Sequence, residues 1–177
     1  MTKAGIVNVV ATATLNQKLN LHEIGKFKEI LHDPDIYGGR VAYFKSSDMR
    51  GKISIFTSGK MISTGTISEE EAARELEYAK AFLVKMGVLN PTVLQCKIQN
   101  IVVIADFDKG LDLETLVKKH KMVYEPEQFP GAIIKIKEPC TVTALIFASG
   151  KAVITGLKSS GHIMPVIRKL ENIIKSS

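Results

Sequence analysis

The sequence is poor in the residues that build metal and redox sites. It has no tryptophan, four scattered histidines and two cysteines, Cys96 and Cys140, in 177 residues. No CxxC pair and no cluster of Cys and His occurs, so the sequence predicts neither a zinc site nor a redox centre. Isolated thiols of this kind usually pack as small hydrophobic side chains. We therefore expect no metal and no cofactor.

Long apolar runs and catalytic constellations are also missing. No segment has membrane-spanning length, and the beginning MTKAGIVNVV lacks the apolar stretch of a signal peptide, so we expect an intracellular protein without a membrane partner. The Gly59-Lys60 and Gly150-Lys151 pairs lack the G-x-x-x-x-G-K-[ST] frame of a phosphate-binding loop. No nucleophile with a base and no paired carboxylates stand out, so the sequence predicts that this is not an enzyme.

The chain does contain an excess of positive charge and enough apolar residues for a core. Its formal net charge is +6 and its hydrophobic content is 45%. A chain of this length and composition can bury a substantial core. The positive balance favours a polyanionic partner, although moderately basic proteins without such a partner are common.

An internal repeat covers nearly the whole sequence. FTSGKMISTG at 56–65 returns as FASGKAVITG at 147–156, and the segment that begins at Ile6 aligns with the one that begins at Ile98. The offset changes from 92 to 91 between these matches, which we assign to one extra residue in the first copy near SSDMRGK. Two such halves could form one pseudo-symmetric unit or two small domains. We favour one unit, because no Pro/Gly/Ser-rich linker separates the halves.

Each half follows the same order of predicted elements. A strand at about 6–14 precedes an amphipathic helix within LNLHEIGKFKEIL, and RVAYFK, KISIFTSG and KMISTGT follow as antiparallel strands. EEEAARELEYAKAFLVKM is predicted to be a long helix capped by Ser68. The second half repeats this order and ends in the helix HIMPVIRKLENIIK, where Pro165 lies near enough the start to be tolerated.

The predicted strands carry apolar residues on both faces. In KMISTG, Met61 and Ser63 point to one side while Ile62 and Thr64 point to the other. Two helices per half are too few to cover both faces of a sheet, so we expect an open apolar face with a basic rim, which is a binding surface. The alternative is a sheet buried on both faces in a homo-oligomer.

These motifs together resemble the TATA-box-binding protein family, nearest to its archaeal members. The resemblance covers residues 6 to about 175 and rests on the paired SGK-x-x-x-TG motifs, the paired strand openings with Asn8 and Asn100, and YEPEQFPGAIIKIKEP followed by LIFASGKAVITGLKS. It implies an α+β fold with repeats at 6–90 and 97–175, which together form one saddle-shaped domain. A curved antiparallel sheet of about ten strands would carry four helices on its convex face.

The function that the resemblance implies is general transcription initiation. The protein would bind A·T-rich TATA-box promoter DNA in the minor groove, bend it, and recruit a transcription factor B type initiation factor and, indirectly, RNA polymerase. A homodimer off DNA is possible. The expected location is cytoplasmic and nucleoid-associated in an archaeon, or nuclear in a eukaryote.

Site residues follow from the same resemblance by position. The residues expected to read bases are Asn8, Asn100, Thr64, Thr155, Val10, Val102, Ile62, Val153 and Leu145. The aromatic residues expected to wedge into base steps are Tyr37, Phe56, Phe129 and Phe147. The cations expected to contact phosphates are Lys60, Lys151, Lys135 and Arg40, and the carboxylates expected to contact the partner factor are Glu125 and Glu127.

The first half departs from the family pattern at several of these places. Tyr37 and Gly38 stand where the second half has Phe129 and Pro130, Ser54 replaces the equivalent of Leu145, and Tyr43 stands where the family commonly has Arg. These departures leave open an alternative function. The chain could be a divergent paralogue that holds initiation factors as a protein-interaction module and binds DNA weakly.

Overall fold

The computed structural model of the protein describes residues 2–175. It contains two compact units, which nearly coincide with the two sequence repeats. We call Asn8–Gln99 the first unit, and Met1–Val7 together with Asn100–Ser177 the second unit. No helix within the described range is long and apolar enough to cross a membrane.

The first unit is an antiparallel sheet with helices on one face. Its strand order is β2-β3-β4-β5-β1, so the three-residue strand β2 forms an edge. Helix α2 packs against β4 and β5. The elements are β1 (Lys3–Thr14, which begins in the second unit), α1 (Leu21–Ile24), β2 (Ile30–His32), a 3-10 turn (Tyr37–Gly39), β3 (Val41–Phe44), β4 (Lys52–Phe56), β5 (Lys60–Thr66) and α2 (Glu69–Lys85).

The second unit repeats this order with small differences. Its strands run β6-β9-β8-β7, again antiparallel. The elements are β6 (Lys97–Asp106, which begins in the first unit), α3 (Leu113–Lys119), β7 (Gly131–Ile136), β8 (Val142–Phe147), β9 (Lys151–Leu157), a 3-10 turn (Ser160–His162) and α4 (Ile163–Lys175).

The described residues thus form nine strands, close to the expected ten. The counterpart of β2 in the second unit is reduced to one bridge between Val123 and Ile133. Their backbone groups exchange two hydrogen bonds of 2.8 and 3.0 Å. The position of the expected tenth strand is therefore occupied by a single bridge, which is too short to be a strand.

Local signals in the sequence set most helix boundaries. Ser68 caps α2 as predicted, because its hydroxyl accepts a hydrogen bond from the backbone N–H of Glu71 at 3.0 Å. The predicted first helix was too long, since α1 ends at Ile24 and Leu31 lies in strand β2. The chain has to turn at Gly25 to reach β2, where a side chain on Gly25 would collide with His32.

The helix-facing side of each sheet forms the core. In β5 the buried residues are Met61, Ser63 and Thr66, and in β9 they are Ala152, Ile154 and Leu157. In the first unit Phe44 lies between Tyr78 and Phe82 of α2, with ring centroids 5.7 and 4.9 Å away. The side chains that alternate with these core residues point away from the helices.

The two hairpins differ in register in a way that the sequence comparison misplaced. Phe56 pairs with Val41, whereas Phe147 pairs with Gly131. The first unit therefore has two additional residues around its Tyr37–Gly39 turn, and its hairpin is one residue shorter than that of the second unit. The predicted single insertion near SSDMRGK was wrong, because two additional residues before the hairpin and one fewer residue within it leave the same net difference of one.

Two charged side chains hold the β3–β4 hairpin in the first unit. Oε1 of Glu75, a buried residue of α2, accepts hydrogen bonds from the backbone N–H groups of Arg50 and Gly51 at 2.8 and 3.1 Å. Nζ of Lys45 donates to the carbonyls of Met49, Arg50 and Gly51 at 2.6–2.8 Å. We call this arrangement the hairpin clamp. Sequence reasoning gave no signal for it.

Removal of the clamp carboxylate should destabilise the protein. Glu75→Ala leaves one buried and one partly buried N–H group without an acceptor, and we expect it to lower the free energy of unfolding by about 3 kcal/mol. Glu75→Gln keeps an amide oxygen as acceptor and should cost about 1 kcal/mol. Urea denaturation followed by circular dichroism measures both. Glu70→Ala, an exposed change in the same helix, is the control, and an equal loss in all three variants would contradict the clamp.

Candidate nucleic-acid interface

The face of the first unit that the helices do not cover is a row of half-exposed apolar and hydroxyl side chains. In β5 these are Ile62 and Thr64, which alternate with the buried Met61 and Ser63 as predicted. Ile62 lies opposite Thr12 on one side and Ser54 on the other. We call this surface the open face of the first unit; its members are Val10, Thr12, Tyr43, Ser54, Phe56, Ile62 and Thr64.

The open face of the second unit is more uniformly apolar. Leu145 pairs with Ile133 and Val153, and Val153 pairs with Ile104, so four aliphatic side chains form one row across the sheet. The members of this face are Val102, Ile104, Ile133, Thr143, Leu145, Phe147, Val153 and Thr155. Sequence reasoning named neither Ile104 nor Ile133. The alternation of faces along β6 and β7 was the signal that could have found them.

One asparagine side chain in each unit is fixed by a glycine of the neighbouring strand. Oδ1 of Asn8 accepts a hydrogen bond from the N–H of Gly65 at 2.8 Å, and Oδ1 of Asn100 accepts one from Gly156 at 2.7 Å. A backbone N–H can only donate, so the bonded atom of each amide must be its oxygen. The nitrogen of each amide is therefore left as the donor side of the group. In Asn100 it also donates to Oγ1 of Thr155 at 3.1 Å.

The backbone around these asparagines is distorted in the same way in both units. The pairing of β1 shifts between Val9 and Ala11, and that of β6 shifts between Ile101 and Val103. Gly65 and Gly156 have φ values of 92° and 100°, which favour glycine. The backbone thus favours the glycine of each Thr-Gly motif, and the N–H group of this glycine points at the asparagine.

The two aromatic residues predicted to form the wedge of the second unit pack against each other. The rings of Phe129 and Phe147 lie 5.8 Å apart, edge to face. A Cβ on Gly131 would come within 2.8 Å of the Phe129 ring and 3.1 Å of the Phe147 ring, so both rings pack on this glycine. The N–H groups of Gln128 and Phe129 donate to the carbonyl of Glu125, both at 2.9 Å, which fixes the approach to the pair.

The corresponding residues of the first unit are not paired. Tyr37 is 75% exposed and has a φ of 50°, and it lies in the 3-10 turn that carries the additional residues. Among residues 2–175, no ring contact joins Tyr37 to Phe56. Phe56 lies instead opposite Val41 in the pairing of β3 and β4. The structure therefore does not bring the two predicted wedge residues of this unit together.

The predicted phosphate-binding cations are all exposed. Lys60 and Lys151 begin equivalent strands, but Lys60 lies opposite Thr14 whereas Lys151 lies opposite Asp106. The acidic neighbour reduces the positive potential around Lys151. Lys135 is an exposed residue of β7, and Arg40 follows the Tyr37–Gly39 turn.

The hairpin register changes the counterpart of Lys135 in the first unit. Tyr43 pairs with Ser54 as Ile133 pairs with Leu145, so Tyr43 occupies the position of Ile133 rather than that of Lys135. By the same register, Lys45 is the counterpart of Lys135. Because Lys45 belongs to the hairpin clamp, its ammonium group is already occupied by three carbonyls.

The acidic residues predicted to contact a partner lie in an exposed turn. Glu125 and Glu127 line a shallow cavity of about 480 Å³ with Pro126 and Gln128. The turn directly precedes Phe129, and its backbone is closed by the two hydrogen bonds to the carbonyl of Glu125. Both carboxylates are therefore accessible on a backbone of fixed shape.

Within the described range, no three His, Cys, Asp or Glu side chains lie close enough together to hold a metal ion. The pKa of Glu71 is lowered, mainly because its carboxylate accepts a hydrogen bond from the N–H of Ile67. The nearby Arg50 and Arg74 lower it further. The open faces instead combine apolar area, fixed amides and exposed cations.

Comparison with known proteins places this arrangement in one family. The profile of the family described as transcription factor TFIID (or TATA-binding protein, TBP) matches residues 3–86 and again residues 95–177. The two matches cover nearly the whole chain and repeat the duplication seen within the sequence.

Curated relatives and a solved structure agree with this match. The TATA-box-binding protein of Cenarchaeum symbiosum is 35% identical over 92% of this chain and 88% of its own length. That of Sulfolobus acidocaldarius is 36% identical over 93% and 83%, respectively. The structure of Methanococcus jannaschii TBP superposes with a TM-score of 0.86 at 32% identity and covers 99% of both chains. The predicted α+β fold is confirmed.

Proposed function

The chain belongs to the TATA-binding protein family, a family of non-enzymatic transcription factors, and from this premise we propose a specific function. The protein binds A·T-rich TATA-box promoter DNA in the minor groove, bends it, and recruits a transcription factor B type initiation factor and, through it, RNA polymerase. The observation that carries the proposal is an open apolar face with a fixed asparagine in each unit.

The chemistry of the minor groove suits this surface. A·T pairs present only acceptors there, and a G·C pair adds the amino group of guanine. The amide nitrogens of Asn8 and Asn100 are donors, so they match the acceptors of central A·T pairs. The aliphatic side chains around them exclude water but cannot accept a hydrogen bond from guanine. A buried guanine amino group would therefore lose its partners.

The remaining site residues come from both repeats, at 6–90 and 97–175, and would contribute to binding in different ways. Val10, Val102, Ile62, Val153 and Leu145 would form the apolar floor, and Thr64 and Thr155 would add hydroxyls near the asparagines. Lys60, Lys151, Lys135 and Arg40 would contact phosphates, which position the protein without reading sequence. Phe129 and Phe147 would enter a base step, with a weaker contribution from Tyr37 and Phe56.

A second function is favoured by one specific observation in the first unit. The unpaired Tyr37 and the small Ser54 weaken its wedge, as expected for a paralogue that holds initiation factors and binds DNA weakly. Titration of a TATA-containing duplex at several salt concentrations separates the two functions. The proposed function requires tighter binding to this duplex than to random DNA at every salt concentration, because nonspecific contacts are mostly electrostatic.

Sequence preference should depend on the fixed amides. Each central A·T pair changed to G·C is expected to weaken binding by about 1–3 kcal/mol. Asn100→Ala should weaken binding to the TATA-containing duplex more than to random DNA, as measured by fluorescence anisotropy. Asn172→Ala, an exposed change in α4, is the control. Equal weakening on both duplexes would remove Asn100 from the residues that read bases.

The two ends of the bound DNA should be deformed unequally. Unstacking a base step costs a few kcal/mol, roughly, and the packed Phe129–Phe147 pair can offset that cost better than the isolated Tyr37. We expect Phe129→Ala to abolish most of the bend and Tyr37→Ala to reduce it less. Fluorescent base analogues at the two outer steps report unstacking separately. Similar unstacking at both ends, with similar losses in both variants, would show that the units are equivalent.

The acidic turn should matter for the partner factor and little for DNA. Glu125→Arg combined with Glu127→Arg is expected to abolish the ternary complex with a transcription factor B type protein, because both exposed acceptors become repulsive to basic partner residues. Binary DNA binding should stay nearly intact. Gel shift assays with and without the partner measure both. Asp33→Arg with Asp35→Arg makes the same charge change in the first unit and is the control; a ternary complex that survives the first pair would refute this role.

A further inference from the structure

The second unit contains a cavity that belongs neither to its open face nor to the acidic turn. It lies where the start of β1, the loop after β6 and the end of α4 meet. Ligand-binding cavities in proteins begin at roughly 300 Å³. This cavity has a volume of about 340 Å³ and is lined by Thr2, Phe107, Lys109, Glu171, Ile174 and Lys175.

The first unit has the same loop geometry at the equivalent place. The N–H groups of Leu15 and Phe107 each donate to the glycine carbonyl of the SGK motif in their own unit, at 2.9 and 3.0 Å. A Cβ on that glycine would collide with the carbonyl oxygen of Gln17 in the first unit and with that of Lys109 in the second unit. Leu15 and Phe107 are therefore structural counterparts, and so are Gln17 and Lys109.

In the first unit the linker after α2 is held against this loop. Nε2 of Gln17 donates to the carbonyl of Val88 at 3.4 Å, and Oε1 of Gln17 accepts from the N–H of Asn90 at 3.2 Å. Leu89, which lies between these two residues, is 4% exposed, and Leu15 is 1% exposed. The side chain of Gln17 thus fixes a peptide segment whose leucine is buried.

Within residues 2–175, no segment of the second unit fills the corresponding cavity. Phe107 is only half-buried, although its counterpart Leu15 is buried. Nζ of Lys109 donates to the carbonyl of Ile174 at 3.3 Å, at the end of α4, and does not hold a linker. The two serines that follow α4 in the sequence carry no apolar side chain. The apolar wall of the cavity is therefore available to another molecule.

The exchange of Gln17 for Lys109 changes the group that this place can hold. A side-chain amide both donates and accepts hydrogen bonds, whereas an ammonium group only donates. Lys175 adds a second ammonium group to the lining. The carboxylate of Glu171 accepts a hydrogen bond from Oγ1 of Thr2, and in the described part of the chain no salt bridge joins it to either lysine. The cavity therefore favours a ligand that brings its own carboxylate.

We infer that this cavity binds a segment of a partner protein in which a leucine-sized apolar residue precedes an acidic residue. The apolar side chain packs against Phe107 and Ile174, and the carboxylate pairs with Lys109 and Lys175. The order of the two residues follows the linker of the first unit, which also shows that a peptide backbone fits at this place. The inference does not rest on the proposed DNA function, because none of these residues is assigned to DNA.

Three short peptides test the inference directly. The probes are fluorescein-labelled copies of residues 87–93, GVLNPTV, with the natural sequence, with Asn90→Asp or with both Asn90→Asp and Leu89→Ser. Each is titrated with the full-length protein and followed by anisotropy. We expect the Asn90→Asp peptide to bind saturably and about threefold more tightly than the natural peptide, with a preference that decreases as salt is added. The peptide without leucine should not bind measurably, because no apolar side chain enters the cavity.

One protein variant converts the second unit to the chemistry of the first. Lys109→Gln restores the amide and should remove the preference for the Asn90→Asp peptide, while binding of the natural peptide stays nearly the same. Lys121→Gln makes the same change of net charge at an exposed position of this unit and should keep the preference. Both variants should bind a TATA-containing duplex as the unchanged protein does, and thermal unfolding checks that they are folded.

Four outcomes would overturn the inference. The Asn90→Asp peptide does not bind, it binds no more tightly than the natural peptide, the peptide without leucine binds equally well, or Lys109→Gln and Lys121→Gln alter the preference to the same extent. The last outcome would assign the preference to the net charge of the protein and not to this cavity.

Discussion

Incomplete coverage of a sheet is the constraint on which the rest of this structure depends. In the first unit, helix α2 packs on β4 and β5 from one side, and the other side of these strands is left half exposed. Side chains that alternate with a core must then be apolar without being buried, which is unfavourable unless another molecule covers them. Leu145 and Val153, which pair between β8 and β9 of the second unit, are likewise half exposed. We therefore interpret the apolar open faces as binding surfaces and not as parts of a core.

On those faces the backbone determines where hydrogen-bonding groups can stand. A sheet interior uses its N–H groups for pairing, so a free N–H that reaches a side chain requires an irregularity. Each unit provides one: the register shift in β1 or β6, together with a glycine of positive φ, directs an N–H at Asn8 or Asn100. The oxygen of each amide is consumed within the protein and its nitrogen remains a donor. These donors are complementary to the minor groove of A·T pairs, which offers only acceptors.

The sequence predicted the parts of the site that repeat and failed where the units differ. The internal repeat, the alternation of faces in KMISTG and KAVITG, and the Ser68 cap followed from local patterns that the structure confirms. The register of the β3–β4 hairpin could not be predicted from the sequence. The positions of Tyr43 and Lys45 depend on the number of residues in the turns before and within the hairpin, which the sequence does not show. The Glu75 clamp was also beyond reach, since a glutamate in an acidic amphipathic helix gives no sign that it is buried. Residue roles at the DNA remain predictions.

The differences between the two units could determine the orientation in which the protein binds DNA. Two identical units would bind an A·T-rich duplex equally well in either orientation, because A·T and T·A present nearly the same groups in the minor groove. Under the proposed function, only features unique to one unit can distinguish the orientations. The second unit has the packed Phe129–Phe147 pair, whereas the first has the exposed Tyr37. Lys151 faces Asp106, whereas Lys60 faces Thr14. The second unit is thus suited to a step that unstacks easily, and the first to stronger attraction of phosphates. A DNA site with a flexible step at one end only would therefore favour the orientation that places this step at the second unit.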